Sequence, residues 1–177
     1  MIRLFVALAL PDTVAQTLLL LESGVPGARW QDRDQLHLTL RFIGEVDGRD
    51  ASGIDDALSA ISALRFSVQL KGVGEFGGKT PRALWAGVAP NEALMHLNRK
   101  IETALQRLGL EAESRKFTPH VTLARLKAAP RDKVMEFLVH HALYQSTPFE
   151  ATEFVLYSSH MTPNGSIYTP ERQYPLR

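Results

Sequence analysis

The tetrapeptide His37-Leu38-Thr39-Leu40 returns as His120-Val121-Thr122-Leu123, and this internal echo restricts the fold more than any other feature. Each copy lies where polar and apolar residues alternate, over Gln35–Gly44 and over Pro119–Leu126. Alternation of that length predicts a half-buried strand, because successive side chains point to opposite faces. Residues two apart share a face, about 6.5–7 Å from each other. Each copy therefore aims one His and one Thr at a common side and anchors two aliphatic side chains in a core. Two similar lobes would let the strands face each other across a cleft, gathering two imidazoles and two hydroxyls around one small volume. By unbroken alternation Arg41 shares the face of His37 and Thr39 while Phe42 turns to the core. Arg125 points away from His120 unless the strand bends or ends before it.

The other segments set the fold class. Leu4–Leu10 reads as a buried strand, although Met1-Ile2-Arg3 and Ala7-Leu8-Ala9 imitate a short secretory leader. Pro11–Glu22, Asp50–Leu64, Asn91–Leu108 and Pro130–His140 read as helices, the third with Leu94, Leu97, Ile101, Leu105 and Leu108 on one stripe. Phe66–Val73 and Ala83–Val88 are expected strands joined by a Gly-rich segment over 74–82, and Phe149–Tyr157 and Ser166–Tyr174 are joined across the turn signal Pro163-Asn164-Gly165. Irregular alternation of helices with strands, and two hairpins, argue for α+β with antiparallel sheets. At 177 residues, with no low-complexity stretch or linker, the chain suits one domain over 1–177 made of two lobes. No run reaches the roughly 18 apolar residues of a membrane span.

Chemistry narrows next. The chain has no cysteine, which excludes thiolate ligands, cysteine nucleophiles and disulfides and fits a reducing compartment, here the cytoplasm. No His-Glu-x-x-His or comparable cluster supports a metal. Two histidines at one site suit paired acid–base work instead: a neutral imidazole takes a proton from the nucleophile and an imidazolium gives one to the leaving group. Phosphodiester cleavage suits this pairing, since attacking and leaving oxygens lie roughly in line across phosphorus. Thr hydroxyls can donate to the non-bridging oxygens. The net charge is only +1, yet residues 115–133 carry +5 and the remainder −4. That excludes charge-driven wrapping of long duplexes but not a local site for one phosphate. The third His-x-Thr, His160-Met161-Thr162, runs into Pro163 and is expected in a loop. Gly72–Gly77 matches the letters of a dinucleotide fingerprint, and Gly78-Lys79-Thr80 the end of a P-loop. Neither opens a helix, so both are expected in a hairpin loop, and no nucleotide cofactor is implied.

The residues that carry the echo resemble the two-histidine (2H) phosphoesterases, more narrowly the RNA 2′,3′-cyclic phosphodiesterases historically called 2′–5′ RNA ligases. Arg3-Leu4-Phe5-Val6-Ala7, His37 through Val46, Pro81 through Val88, Phe117 through Arg125, Leu156-Tyr157-Ser158 and Tyr168-Thr169-Pro170 carry the likeness almost end to end. The resemblance implies a bilobal, pseudo-two-fold α+β fold with two antiparallel sheets, outer helices and both motifs in a central cleft. It implies hydrolysis, without metal or cofactor, of a 2′,3′-cyclic phosphate on RNA ends or nucleotides to a 2′-phosphate. By that likeness His37 protonates the departing O3′, His120 activates water, and Thr39, Thr122 and Arg125 hold the phosphate. Arg41 and Phe42 are further candidate contacts, Phe42 through base stacking, although its parity favours packing. Ligation in reverse, or a non-catalytic RNA- or nucleotide-binding module on the same fold, are the alternatives.

Overall fold

A computed structural model describes residues 1–177. The chain runs β1 (Ile2–Ala9), α1 (Asp12–Leu19), β2 (Ala28–Trp30), a 3₁₀ turn (Arg33–Gln35), β3 (His37–Val46) and α2 (Gly48–Ser59). It continues through β4 (Phe66–Val68), β5 (Leu70–Phe76), β6 (Ala83–Val88), α3 (Glu92–Arg107), β7 (His120–Leu126) and α4 (Arg131–His140). It ends with β8 (Phe149–Ala151), β9 (Glu153–Thr162) and β10 (Gly165–Pro175). The α+β expectation holds, with every strand pair antiparallel. The order β10-β9-β1-β3-β7-β6-β5, with β2 beside β7, forms an eight-stranded sheet, and β4 pairs with β8 apart from it. No helix is long and apolar enough to cross a membrane.

The two halves of the large sheet meet at one residue pair, Leu38 opposite Val121. These are the second residues of the two tetrapeptides. Antiparallel strands paired at the same position of a repeat carry a local two-fold through that pair, which relates the two motifs. Beyond it β3 and β7 part, and β2 fills the opening by pairing Ala28, Arg29 and Trp30 with Leu126, Arg125 and Ala124. Leu38, Leu40, Val121 and Leu123 join Leu18, Ile54, Leu94, Ile101 and Val134 from the four helices in a single core of 32 buried residues. Burying a side chain of this size contributes about 1.5–3 kcal/mol. Asp47 and Asn91 start α2 and α3 by accepting from the amides of Asp50 and Leu94, at 2.8 and 3.0 Å.

Both motif strands carry a β-bulge one residue beyond the Thr. Ala7 faces Thr39 but Val6 faces Arg41, so Leu40 is extra; Trp85 faces Thr122 but Leu84 faces Ala124, so Leu123 is extra. The bulged carbonyls are both satisfied: Leu40 accepts from buried Asn98 Nδ2 at 2.9 Å, and Leu123 from the Gln31 amide at 2.8 Å. A bulge places two successive residues on one side and reverses the parity of everything after it. Three sequence expectations change as a result. Arg41 leaves the face of His37 and is buried, Phe42 arrives on that face 55% exposed, and Arg125 arrives on the face of His120.

Arg41 becomes a strut. Its Nε pairs with the Glu102 carboxylate of α3, Nη1 donates to the Phe42 carbonyl at 2.6 Å, and Nη2 donates to the Glu111 carbonyl. Other boundaries also move. Helix α2 stops at Ser59 because Ala63 and Arg65 hydrogen-bond the backbone of Arg177. The 74–76 part of the Gly-rich segment belongs to β5. His160-Met161-Thr162 is strand, not loop: Thr162 pairs with Gly165 and its hydroxyl donates to the Gly165 carbonyl at 2.6 Å, closing the hairpin. Pro170 sits within β10, tolerated on an edge strand next to a register shift. Arg41→Ala leaves Glu102 without its partner and is expected to lower the free energy of urea unfolding by about 3 kcal/mol.

Candidate active site

His37 opens β3 and His120 opens β7, and the two rings are held the same way. His37 Nδ1 lies 3.1 Å from the Gln35 carbonyl, and His120 Nδ1 lies 2.7 Å from the Thr118 carbonyl. A carbonyl only accepts, so Nδ1 carries the proton in each ring and Nε2 is left as the basic nitrogen of the neutral form. Aromatic walls fix the planes. Tyr157, Tyr168 and Phe5 surround His37 with ring centroids at 4.6, 5.4 and 6.0 Å; Phe76 and Trp85 flank His120 at 5.0 and 6.2 Å. Gly74 permits the second wall, because a Cβ there would come within 2.1 Å of the Trp85 indole.

This burial decides the charge state. It lowers the pKa of His37 from 6.5 to about 4, against the pull of the Gln35 carbonyl, with Arg33 lowering it further and Asp34 raising it. Burial lowers His120 as well, again opposed by its backbone acceptor. Both imidazoles are therefore neutral in the free protein near pH 7.

Thr39 and Thr122 follow on the same face, half-buried. Continuing the register through Leu38 and Val121 sets Thr39 toward His120 and Thr122 toward His37, so each imidazole neighbours the hydroxyl of the other lobe. Arg125 and Phe42 complete equivalent positions after the two bulges, and Phe42 leans on Phe5 with centroids 5.9 Å apart. They border a cavity of about 380 Å³; a second of about 810 Å³ lies beside His37, walled by Tyr157, Tyr168, Arg33 and Asp34. The structure thus brings together His37, Thr39, Phe42, His120, Thr122 and Arg125 and removes Arg41. No group of three or more His, Asp or Glu side chains is placed to hold a metal ion. Sequence reasoning missed the walls Phe5, Phe76, Trp85, Tyr157 and Tyr168. Their signal was present: Arg3, Phe5 and Ala7 alternate against the core residues of β1.

Two strand-borne His-x-Thr pairs across one pseudo-two-fold cleft define the class as two-histidine phosphoesterase. The model of the 2′-5′ RNA ligase superfamily matches residues 21–162, and the chain belongs to that family. The chain is 37% identical over 145 residues to the RNA 2′,3′-cyclic phosphodiesterase of Thermotoga maritima, covering 80% of this chain and 76% of that protein. It is 31% identical over 176 residues to that of Archaeoglobus fulgidus, covering 97% and 99%. Among solved structures, a Thermus thermophilus protein superposes with a TM-score of 0.83 at 27% identity, over 99% of this chain and 98% of that one. E. coli LigT, solved with 3′-AMP, superposes with a TM-score of 0.81 at 26% identity, over 99% and 98%.

The lowered pKa of His37 makes stability depend on pH. Between the ordinary value of 6.5 and about 4 the unfolded chain takes up a proton at this residue that the folded chain refuses. Stability therefore falls as pH drops through that window, by up to about 3 kcal/mol at 1.36 kcal/mol per unit. His37→Gln should show a correspondingly smaller loss when unfolding free energies at pH 7 and pH 4.5 are compared.

Proposed function

We propose that this protein hydrolyses 2′,3′-cyclic phosphates on RNA ends and nucleotides to 2′-phosphates, without metal or cofactor. The observation that carries the reading is the pair of imidazoles, each fixed through Nδ1 to the backbone carbonyl two residues before it with Nε2 left as the basic nitrogen, on one face and related by the local two-fold. Family membership and the names of the relatives support the same reaction. His120 takes a proton from water as it attacks phosphorus; His37 protonates O3′ as the P–O3′ bond breaks; the P–O2′ bond survives. Thr39, Thr122 and Arg125 hold the non-bridging oxygens, and Phe42 offers a face to a base. An RNA 5′-hydroxyl in place of water would turn the same machinery to 2′–5′ joining. The absence of cysteine fits action in the cytoplasm.

Burial holds His37 strongly neutral in the free protein, so its acid role depends on the substrate. A bound phosphate anion favours imidazolium and returns the proton that burial removes. Substrate binding is thus coupled to proton uptake at His37. The same observation favours a second reading, in which His120 is the acid and His37 the base.

The test is turnover of a 2′,3′-cyclic nucleotide in excess chelator. Wild type is expected to turn over, and His37→Ala and His120→Ala each to lose about 10²–10⁴-fold in kcat. Full activity in either variant, or abolition of wild-type activity by chelator, contradicts the proposal.

A further inference from the structure

We infer that Arg29 and Arg3, together with Arg125, form a second phosphate subsite that takes the phosphodiester one nucleotide upstream of the reacting end, so that the protein prefers oligonucleotides to mononucleotides. The inference rests on the reading of the site above and extends it along the strand.

The first observation is an unfavourable pair. Arg29 of β2 lies directly opposite Arg125 of β7 in the antiparallel register. Like charges in that position cost stability. Neither arginine forms an ion pair that would offset this cost. Arg3, the third member, meets only Glu45, at 3.5 Å and with both side chains more than half exposed. Such a contact is weak. A sequence whose net charge is only +1 thus gathers three guanidinium groups around one space, with the exposed Arg3–Glu45 contact as their single ion pair.

The second observation is the cavity these groups share. The space of about 380 Å³ is lined by Arg3, Arg29 and Arg125 and by no Asp or Glu. Arg125 lines this space and, beyond the bulge, shares the face of His120 and Thr122. Phe42, Phe5 and Tyr168 line the same space, and Phe5 and Tyr168 also pack against His37, so the cavity adjoins the histidine site. The guanidinium fork matches phosphate oxygens two at a time, and the exposed Phe42 ring gives a stacking surface between the two anion positions.

The third observation is where the Arg29 guanidinium lies. Gly165, at the tip of the β9–β10 hairpin, has φ +117°. A Cβ there would come within 3.1 Å of Arg29 Nη2 and 3.2 Å of Gln35 Nε2. Gln35 Nε2 donates to the Ser166 carbonyl at 2.9 Å and pins the tip in place. The Arg29 guanidinium thus lies against the hairpin tip, which also lines the cavity. Solvated surface arginines do not need to share one cavity whose lining holds no Asp or Glu.

The test compares three substrates with 2′,3′-cyclic ends: a mononucleotide with a free 5′-hydroxyl, a dinucleotide with an ordinary phosphodiester, and the same dinucleotide with a neutral methylphosphonate linkage. Wild type should show kcat/KM about ten-fold or more higher for the charged dinucleotide than for either other substrate. Arg29→Gln should lose most of that preference and leave mononucleotide turnover unchanged. Arg3→Gln should lose a smaller part. Because Arg29→Gln removes a like-charge pair, its Tm should equal or exceed that of wild type. Titration with the product dinucleotide, which ends in a 2′-phosphate, reads the subsite independently of turnover and should weaken about ten-fold in Arg29→Gln. Equal kcat/KM for all three substrates in wild type would overturn the subsite while leaving the hydrolysis proposal standing. A methylphosphonate turned over as well as the phosphodiester, an Arg29→Gln defect as large on the mononucleotide, or undiminished product binding would overturn it too. Absence of turnover on every substrate would remove the hydrolysis proposal, and product binding would then judge the subsite alone.

Discussion

The antiparallel contact of Leu38 with Val121 is the constraint on which the site depends. A single pair is too little to join two half-sheets by hydrogen bonding. The lobes stay in register because both residues are fully buried in a core that takes side chains from all four helices. With the pair fixed at the same position of both motifs, the period of the strand sends both His and both Thr to the opposite face. The parting of β3 and β7 beyond this pair opens the cleft, and β2 keeps that opening from exposing unpaired backbone. The two bulges end the alternation at the same place in each lobe. Each is held by one hydrogen bond to the extra residue's carbonyl, from Asn98 in one lobe and the Gln31 amide in the other.

The same arrangement sets the electrostatics. Tyr157, Tyr168 and Phe5 on one side, and Phe76 and Trp85 on the other, keep water from the rings and hold them neutral. Two neighbouring imidazolium ions in an empty cleft would repel each other, and burial avoids that state. In the proposed reaction a substrate phosphate between them would supply the missing counter-charge. The proton that one ring donates in that reaction would be gained as the anion arrives, which would link binding to the charge state of the site. Nδ1 is committed to the backbone in both rings, so only Nε2 can exchange this proton with a ligand.

Much of this was legible in the sequence, and the misses share one cause. The echo placed His37, Thr39, His120 and Thr122 on their strands and faces, and the mixture of amphipathic helices and hairpins gave α+β. Parity failed immediately after each motif. Alternation extrapolates an unbroken strand, whereas the bulges depend on Asn98 and Gln31, which are remote from them in sequence. Unbroken alternation therefore puts Arg41 in the cleft, whereas it braces α3, and puts Phe42 in the core, whereas it is exposed on the face of His37. Alternation puts Arg125 on the side away from His120, and the bulge returns it to the face on which the resemblance expects it. Strand β2 has only three residues, too few for periodicity, so the facing pair Arg29 and Arg125 was invisible. His160-Met161-Thr162 lies in a strand after all, but its Thr closes the hairpin turn and has no partner motif across a two-fold.

The central claim is that the two lobes divide one proton transfer each, His37 giving to O3′ and His120 taking from water. A 2′,3′-cyclic substrate with sulfur in place of O3′ tests it most directly, since a thiolate leaves without being protonated. On that substrate His37→Ala should recover most of the rate it loses on the oxygen substrate, while His120→Ala should stay impaired. Recovery by His120→Ala alone would exchange the two roles. Equal impairment of both variants on both substrates would contradict a division of labour between the imidazoles.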